Sequence, residues 1–485
     1  MTDAFVAAGH PLTADAAVEV LEAGGNAYDA VVAACFAAAV AEPCLTSLAG
    51  GGFLVARTAA GDERLFDFFV DTPGRSRADT TPHFVPVTIR FPSSTQDFNV
   101  GWGSAGVPGV LAGLLHVHSE LGRLGLDEVV APAASAARRG VVLNAQQGAF
   151  VALLEPILRL TAEASAVYAP GGRLLRPGDV VVNEALGEFV TAIGSGRIES
   201  FADASVASPL VDACDRHDGL LTQADLDAYA VVERDPMVVE FRGRRVLTNS
   251  PPSFGGPLLA RALRRLDDGV VRSGSEDALH RLSVLREVEK TRLDEDIERR
   301  RKAVRGTTHI SISDHEGNVA SMTTSNGEGA GCLVPGTGVM LNNMMGEDDL
   351  HPEGFHADEP GTRVSSMMSP AIVVGPRGSE LVVGSGGSKR IRTAILTVID
   401  AATRPEPRSL ESIVAAPRFH WDGELLQLEP GLDDAVEAAL AASAPLNRWD
   451  SLDLYFGGVH CVRPGVEAAG DSRRGGTTRR STGAG

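Results

Sequence analysis

Apolar and polar positions follow two different periods along this chain, and the change falls near residue 305. Before it, apolar residues recur at helical spacing in 13–23 and in the alanine-rich run 27–40, and residues 106–245 are predicted to be mainly helices with short connections. After it, short alternating or wholly apolar runs predict strands. These strands are expected at 309–314, 318–325, 338–343, 370–375 and 380–385.

Strands are also expected in the first part of the chain, in "LAGGGFLV" and "RLFDFFVDTP". Residues 80–105 contain several prolines and serines without a clear period, so they are predicted to be loop. Residues 284–304 alternate in charge and predict a solvated helix that ends just before Gly306. Residues 464–485 are rich in Gly, Ser, Thr and Arg, and a loose tail is expected there.

The net charge of the chain limits which molecules are expected to bind it. The chain of 485 residues has 44 Lys+Arg and 63 Asp+Glu, a formal net charge of −19. Phosphate backbones and anionic membranes would repel such a chain, so neither nucleic acid nor a membrane is expected as a partner. The apolar run 30–41 is too short to span a bilayer. No basic segment followed by an apolar one opens the sequence, so a cytoplasmic location is expected.

The cysteines and histidines predict no metal or disulfide framework. The five cysteines are odd in number and form no C-x-x-C pair, and the twelve histidines form no H-x-x-x-H or H-E-x-x-H pattern. No cofactor is implied. The acidic turn "LNNMMGEDDL" at 341–350 could hold an amine or a metal, although a solvated turn is the ordinary interpretation.

The stretch "RGTTHISISDHEGNVASMTTSN" raises a chemical possibility at Thr307. If the bond after Gly306 were cut, Thr307 would carry both a hydroxyl and a free α-amine, whose pKa of about 7.7–8.0 suits a general base. Glycine at 306 tolerates the strained geometry that attack on its carbonyl needs. On the local sequence alone, an ordinary threonine at the start of a strand remains the simpler interpretation.

Two further motifs are open to similar alternatives. "VVGSGGSKR" at 382–390 could aim backbone N–H groups at a developing oxyanion, or could be a plain glycine turn. Ser365 and Ser366 in "VSSMMSP" could donate two hydrogen bonds to a carboxylate, or could simply form a turn.

Taken together, the motifs resemble the γ-glutamyltranspeptidase family. The resemblance runs in order through "GHPLTADAAVEVLEAGGNAYDAVVAACFAAAVAEP", "LAGGGFLV", "NSPPSFGG", "GTTHISISDHEGNVASMTTSN", "SSMMSP" and "GSGGSKRI" and covers roughly residues 9–475. It implies one four-layer αββα sandwich of the N-terminal-nucleophile hydrolase type. It also implies a precursor that cleaves itself into a large subunit, 1–306, and a small subunit, 307–485.

The resemblance assigns roles to individual residues. Thr307 corresponds to the nucleophile, and Ser325 stands where the family has a second threonine that orients the nucleophile's amine. Gly386 and Gly387 match the oxyanion-hole glycines, with a register that could shift one N–H to Ser388. Ser365 and Ser366 match the pair that holds the α-carboxylate of a glutamyl group.

The departures from the family pattern concern the substrate pocket. Phe69 stands where the family has an arginine that clamps the α-carboxylate, and Met344 replaces a Gln or Glu that follows Asn343 and holds the α-amine. A substrate-binding asparagine is displaced by one residue to Asn326. The acidic residue of the amine site survives as Glu347 or Asp348. An apolar Phe69 and Met344 favour a less charged acyl group.

Three hypotheses follow for the function. The first is an autoprocessed γ-glutamyltranspeptidase-like enzyme that cleaves γ-glutamyl amides such as glutathione, with water or an amine as acceptor. The second is a related acylase acting on a different amide. The third is a non-cleaving relative that only binds a ligand, which the retention of Gly306, Thr307 and Ser325 disfavours.

Overall fold

The computed structural model describes residues 2–77, 81–91, 94–270, 272–294, 306–347, 350–351, 354–355 and 357–483. Its strands are β1 (Ala4–Ala8), β2 (Gly51–Arg57), β3 (Glu63–Phe68), β4 (Val85–Phe91), β5 (Ser94–Val100), β6 (Val141–Val142), β7 (Val180–Val181), β8 (Val232–Arg234), β9 (Met237–Phe241), β10 (Arg244–Thr248), β11 (Thr308–Ser313), β12 (Val319–Ser325), β13 (Ala371–Gly375), β14 (Gly378–Gly386), β15 (Phe419–Trp421), β16 (Leu426–Leu428), β17 (Leu446–Arg448), β18 (Gly458–Arg463), β19 (Glu467–Gly470) and β20 (Thr477–Ser481).

The α-helices lie between these strands. They are α1 (Pro11–Glu22), α2 (Ala27–Ala41), α3 (Val110–Leu121), α4 (Leu126–Arg139), α5 (Ala145–Leu153), α6 (Glu155–Leu158), α7 (Ala162–Tyr168), α8 (Glu184–Gly194), α9 (Ala204–Arg216), α10 (Gln223–Ala228), α11 (Gly255–Leu266), α12 (Gly274–Asp294), α13 (Ile391–Ala402), α14 (Leu410–Ala415) and α15 (Asp434–Ser443).

Two antiparallel sheets form the centre of the molecule. The seven-stranded sheet has the order β20-β1-β11-β12-β2-β3-β8, and the six-stranded sheet has the order β19-β18-β14-β13-β10-β9. β11 and β12 contact β14 across the interface between the two sheets. Helices α1, α2 and α3 cover the outer side of the first sheet, and α11 and α13 cover the second. The predicted αββα sandwich is confirmed.

Alternation along the strands explains why the sheets are covered on both faces. Leu54 and Ala56 of β2 belong to the core that includes α2, whereas Phe53 and Val55 belong to the core that includes the second sheet. Successive side chains of a strand point to opposite faces, so one strand serves two cores.

Helix α2 lies close to the centre of the first sheet because its residues are small. Asn26 and Asp29 form a reciprocal capping box at its start, and all fifteen of its residues are buried. The alanines allow its backbone to approach β11 and β12. Its C-terminal end at Ala41 therefore reaches the beginning of β11, where Thr307 lies.

Several sequence predictions need correction. Residues 85–91 and 94–100 form the hairpin β4–β5 rather than a loop, because paired strands tolerate a proline such as Pro86 at an edge. The stretch 338–343 contributes only isolated bridges at Met340 and Leu341. The charged helix begins earlier, at Gly274, and its predicted end falls within 295–305, outside the described residues.

The predicted loose tail is also wrong for residues 467–481. β19 pairs with β18, and β20 completes the edge of the seven-stranded sheet beside β1, with Ala4 opposite Ser481. Arg479 Nε donates to Asp15 of α1 at 2.6 Å. Composition suggested mobility, but pairing with a distant strand orders the segment, and only tertiary structure supplies that partner.

Within the described part of the chain, no helix combines the length and the apolar character needed to cross a bilayer.

Candidate active site

Thr307 lies at the point where β11 starts and β12 ends. The two strands are antiparallel, with Thr308 opposite Thr324, so the next residue on each strand, Thr307 and Ser325, meet. Thr307 is 4% exposed, and its Oγ1 lies 3.4 Å from the Ser325 hydroxyl. Ser325 Oγ in turn donates a short hydrogen bond to the Gly306 carbonyl. The structure therefore brings together the nucleophile and the orienting hydroxyl that the sequence predicted.

Gly306 occupies a site too narrow for any other residue. A Cβ on Gly306 would come within 2.4 Å of the Gly327 carbonyl oxygen and 2.5 Å of the Cys44 carbonyl oxygen. Its own carbonyl is fixed by Ser325, and a hydrogen bond donated to a carbonyl oxygen polarises it toward attack. The Gly306–Thr307 bond therefore lies next to two hydroxyls, its own Thr307 Oγ1 and that of Ser325.

The glycine motif at the end of β14 lies against the backbone of Thr307. A Cβ on Gly386 would be 2.3 Å from the Thr307 carbonyl oxygen. Gly387 and Ser388 both have positive φ values, 121° and 54°, which turn the chain sharply after the strand. The Ser388 hydroxyl is buried and has no hydrogen-bond partner among the residues that the structure describes. The loop is therefore next to the nucleophile, and which of its N–H groups would bind an oxyanion stays a prediction.

His309 was not singled out from the sequence, yet it lies between the two sheets beside the nucleophile. Its Nδ1 is 2.8 Å from Thr323 Oγ1 and its Nε2 is 2.9 Å from Ser311 Oγ. A Cβ on Gly384 would be 2.2 Å from the imidazole ring. Burial holds the pKa of His309 well below its usual 6.5, so the ring is neutral.

The alternation of side-chain direction along a strand, which repeats every two residues, could have identified His309 from the sequence. Residues 307, 309 and 311 lie on the same face of β11, just as Gly384 and Gly386 share a face of β14. The ring of His309 fills the space that Gly384 leaves open, and so it sets the spacing between β11 and β14 two residues from Thr307 and Gly386.

Asn326, Asn343 and Glu347 surround the turn that follows Ser325. A Cβ on Gly327, whose φ is 64°, would be 2.0 Å from Asn343 Oδ1 and 2.2 Å from Glu347 Oε1. Asn343 Oδ1 accepts a hydrogen bond of 2.9 Å from the backbone N–H of Glu328. Asn326 is buried, and within the described part of the chain its Oδ1 has no hydrogen-bond partner. Three of the predicted substrate-binding residues are thus gathered beside the nucleophile, together with Glu328, which sequence reasoning missed. Asp348, the other predicted acid, lies outside the described residues.

Ser365 and Ser366 belong to a turn that is held by its backbone. The Ser366 carbonyl accepts hydrogen bonds from the N–H groups of Phe254 and Gly255, each 3.0 Å long. Ser366 Oγ accepts from the Met368 N–H at 3.2 Å, which is a local turn contact. Ser365 is half-buried. Their predicted role toward a carboxylate remains a prediction.

Phe69 lies one strand away from Ser325. β2 pairs with β12 so that Gly51 stands opposite Ser325, and a Cβ on Gly51 would be 2.8 Å from the Phe69 ring. The ring is 1% exposed and stacks on Phe53 at a centroid distance of 5.6 Å. Met344 is 2% exposed and belongs to the same apolar cluster. The side of the site where the family has an arginine is therefore apolar here.

Arg363 does not supply the missing positive charge at this wall. It precedes Ser365 by two residues, but its guanidinium is bound to Asp71 at 2.6 Å and to Asp67 at 2.9 Å. Burial disfavours the charged form of Arg363, but the attraction of Tyr229, Asp67 and Asp71 outweighs it and raises the pKa of Arg363 above the ordinary value.

Within the described ranges, no group of three or more His, Cys, Asp or Glu residues is arranged to hold a metal ion.

Comparison with known proteins decides the family. The family model described as Gamma-glutamyltranspeptidase matches residues 13–295 and 288–480. The chain belongs to the γ-glutamyltranspeptidase family. It is therefore an enzyme of the N-terminal-nucleophile hydrolase class, in agreement with the αββα fold.

The relatives within this γ-glutamyltranspeptidase family carry two kinds of name. The chain is 31% identical to the Acylase ACY 1 proenzyme of Pseudomonas sp. (strain V22), over 90% of this chain and 86% of that protein. It is 28% identical to the Glutathione hydrolase proenzyme of Pseudomonas sp. (strain A14), over 85% and 80%. The crystal structure of cephalosporin acylase from Bacillus halodurans superposes with a TM-score of 0.79 at 21% identity, covering 99% of this chain and 96% of that one. That superposition supports the fold.

Proposed function

We propose that this chain is a precursor that cleaves its own Gly306–Thr307 bond and then cleaves an amide substrate through Thr307. The observation that carries the proposal is the placement of the Thr307 hydroxyl, the Ser325 hydroxyl and the Gly306 carbonyl around one peptide bond. The names of the relatives, which are proenzymes, support a precursor of two subunits, and we assign these subunits to residues 1–306 and 307–485.

The first reaction is an acyl shift within the chain. Thr307 Oγ1 attacks the Gly306 carbonyl carbon, the C–N bond breaks, and the amide nitrogen of Thr307 takes up a proton to become an amine. The product is an ester between Gly306 and the Thr307 side chain. Water hydrolyses this ester, which leaves a carboxylate on Gly306 and a free hydroxyl and amine on Thr307.

The second reaction uses both groups that the first one created. The amine of Thr307 takes the hydroxyl proton as Oγ1 attacks the substrate carbonyl, and it returns that proton to the departing amine. Backbone N–H groups of the loop at Gly386 and Gly387 stabilise the oxyanion. Water or an acceptor amine then releases the acyl group from Oγ1.

We infer that the enzyme is an acylase. Its substrates are amides whose acyl group carries no free α-amino acid group. A glutamyl α-carboxylate needs a charged partner that donates two hydrogen bonds. The position expected for that partner is occupied by Phe69, which stacks on Phe53, and Met344 lies in the same hydrophobic cluster. Arg363 is committed to Asp67 and Asp71. The relative with acylase in its name supports the same choice.

A γ-glutamyl amide such as glutathione is the second candidate. The carboxylate of Glu347 next to Asn343 and Gly327 favours it, since an acidic group at this place could hold the α-ammonium of a glutamyl substrate.

A matched series of anilides tests the choice. The γ-glutamyl, glutaryl and pentanoyl amides of p-nitroaniline share one leaving group, and along the series the acyl group loses first its α-amino group and then its carboxylate. We expect kcat/KM to rise at least about tenfold from γ-glutamyl to pentanoyl, because only the pentanoyl group lacks the carboxylate that would be buried without a charged partner. A γ-glutamyl preference would instead select the second candidate. Absence of any chain beginning at Thr307 in the purified protein would contradict both.

A further inference from the structure

Glu42 is a buried carboxyl that the mechanism above does not use. It caps the C-terminal end of α2 and is 0% exposed. Its Oε1 accepts a hydrogen bond of 2.7 Å from Thr13 of α1, and its Oε2 accepts one of 2.7 Å from Thr308 of β11. Thr308 directly follows Thr307. A carboxyl in the core therefore ties two helices to the first residue after the nucleophile.

The segment that follows Glu42 touches the cleavage point as well. The Glu42 carbonyl accepts from the N–H groups of Leu45 and Thr46, which folds the chain back toward β11. The Cys44 carbonyl oxygen would be 2.5 Å from a Cβ on Gly306. Glu42 thus belongs to the wall that holds the residues on both sides of the Gly306–Thr307 bond.

Burial at this place is unfavourable for a carboxylate unless a cation comes near it. Desolvation raises the pKa of Glu42 to about 7, although the Thr308 and Thr13 hydroxyls partly offset the rise. The groups around it are those two hydroxyls, the Cys35 thiol of α2 and the backbone of Gly9. The neighbouring His10 is neutral, because burial lowers its pKa to about 4. Cleavage would add a cation, the α-ammonium of Thr307, together with the carboxylate of Gly306.

On this geometry, and building on the proposed function, we propose that Glu42 is a positioning residue for Thr307. It anchors the start of β11 through Thr308, and after cleavage its carboxylate stabilises the charged form of the Thr307 amine from behind the strand. One extended residue and one hydrogen bond separate the two groups, so they lie roughly 6–9 Å apart. A carboxylate at that distance makes the amine a stronger base.

The sign of the effect follows from the charges. Replacing the carboxylate by a neutral amide removes an attraction that favoured the ammonium, so the pKa of the Thr307 amine falls by about one unit. The acid limb of the kcat/KM profile then moves to lower pH. Because a weaker base transfers protons less well, kcat at high pH falls about threefold, while KM stays the same.

The experiment compares Glu42→Gln with wild type and with Thr46→Val. Thr46 belongs to the same segment and donates to Thr324 Oγ1 at 2.8 Å, so its replacement by valine removes a buried hydroxyl without changing a charge. The amine itself is titrated by trace acetylation of the processed proteins at a series of pH values, with the peptide that begins at Thr307 quantified by mass spectrometry. We expect the midpoint to shift by about one unit in Glu42→Gln and not in Thr46→Val. Equal midpoints in all three proteins would overturn the proposal.

The acetylation readout needs no substrate, so it separates this inference from the proposed function. If wild type forms no chain beginning at Thr307, both fail. If that chain forms and titrates identically in Glu42→Gln, only the role of Glu42 fails, whatever the donor series shows.

A second pair of variants keeps the proposal testable if Glu42→Gln does not fold. Thr308→Val removes the hydroxyl that reaches Glu42, and Thr308→Ser keeps it. We expect kcat to fall about tenfold in Thr308→Val and to be restored in Thr308→Ser, as for loss of a buried hydrogen bond to a charged group. Equal kcat in Thr308→Val and wild type would contradict an anchoring role.

Discussion

The two sides of the candidate site differ in chemistry and in how they are built. On one side, Thr307, Ser325 and the Gly386 loop come from three strand ends, and polar atoms and glycine backbone make up the contacts. On the other side, Phe69 is stacked on Phe53, and Met344 is buried in the same hydrophobic cluster. In the proposed function, the first side carries the groups that make and break bonds, and the second selects the acyl group. A family can therefore keep its reaction while changing its substrate.

The largest expected effect is on the reactive side. Thr307→Ala removes the hydroxyl, so neither the internal cleavage nor substrate turnover should occur, with activity reduced by at least about 10³-fold. Intact-mass measurement should show one uncut chain. Thr307→Ser keeps a hydroxyl and should still be cut. If the Thr307→Ala protein is still cleaved or still active, Thr307 is not the reactive residue, and the comparison between the two sides fails.

The second-largest effect is expected from a substitution that fills the space beside Gly386. In Gly386→Ala the new Cβ would lie 2.3 Å from the Thr307 carbonyl oxygen, so β14 and the nucleophile must move apart. We expect kcat to fall by about 10²–10³-fold, as when an oxyanion donor is lost, with a smaller change in KM. Ser379→Ala, near the far end of the same strand, serves as the control and should have kcat close to wild type.

Ser325→Ala tests the hydroxyl that joins Thr307 to the Gly306 carbonyl. Loss of both hydrogen bonds should slow the internal cleavage by about 10–100-fold, because the carbonyl is no longer polarised or held. The half-time of conversion, followed on denaturing gels after expression at low temperature, measures this effect. Ser325→Thr restores the hydroxyl and should recover most of the rate. A normal half-time in Ser325→Ala would assign the cleavage to other groups.

The smallest effect is expected on the apolar side, and it concerns selectivity. Phe69→Arg places a guanidinium where the family has one, and the ratio of kcat/KM for γ-glutamyl over pentanoyl anilide should rise about tenfold. Phe69→Leu controls for loss of the stack on Phe53 and should leave that ratio near its wild-type value. An unchanged ratio in Phe69→Arg would mean that this wall does not contact the acyl group.

The residues around Thr307 differ in how well the sequence predicted them. The meeting of Thr307 with Ser325 follows from a hairpin whose strands and turn are local in sequence, and the motif order identified both residues. His309 was missed, because its importance depends on Gly384, a residue of another sheet that the topology brings against its ring. Glu42 was missed for the same reason, since its partners Thr13 and Thr308 come from distant elements.

The fold shows a similar division. The helix α2 and the strands β2, β3, β11 and β12 were predicted because their patterns of period and capping are local. The edge strand β20 was missed because its stability comes from pairing with β1, almost the whole chain away in sequence. The hairpin β4–β5 was missed because its prolines and serines resemble a loop until its partner strand is known.

Trapping the acyl-enzyme tests the central claim most directly. The purified protein is mixed with the best anilide of the donor series, quenched with acid within one turnover, and digested for mass spectrometry. The account predicts two chains, with the acyl mass on the hydroxyl of the peptide that begins at Thr307. An acyl group on another residue, or full turnover by a chain still joined between Gly306 and Thr307, would contradict it.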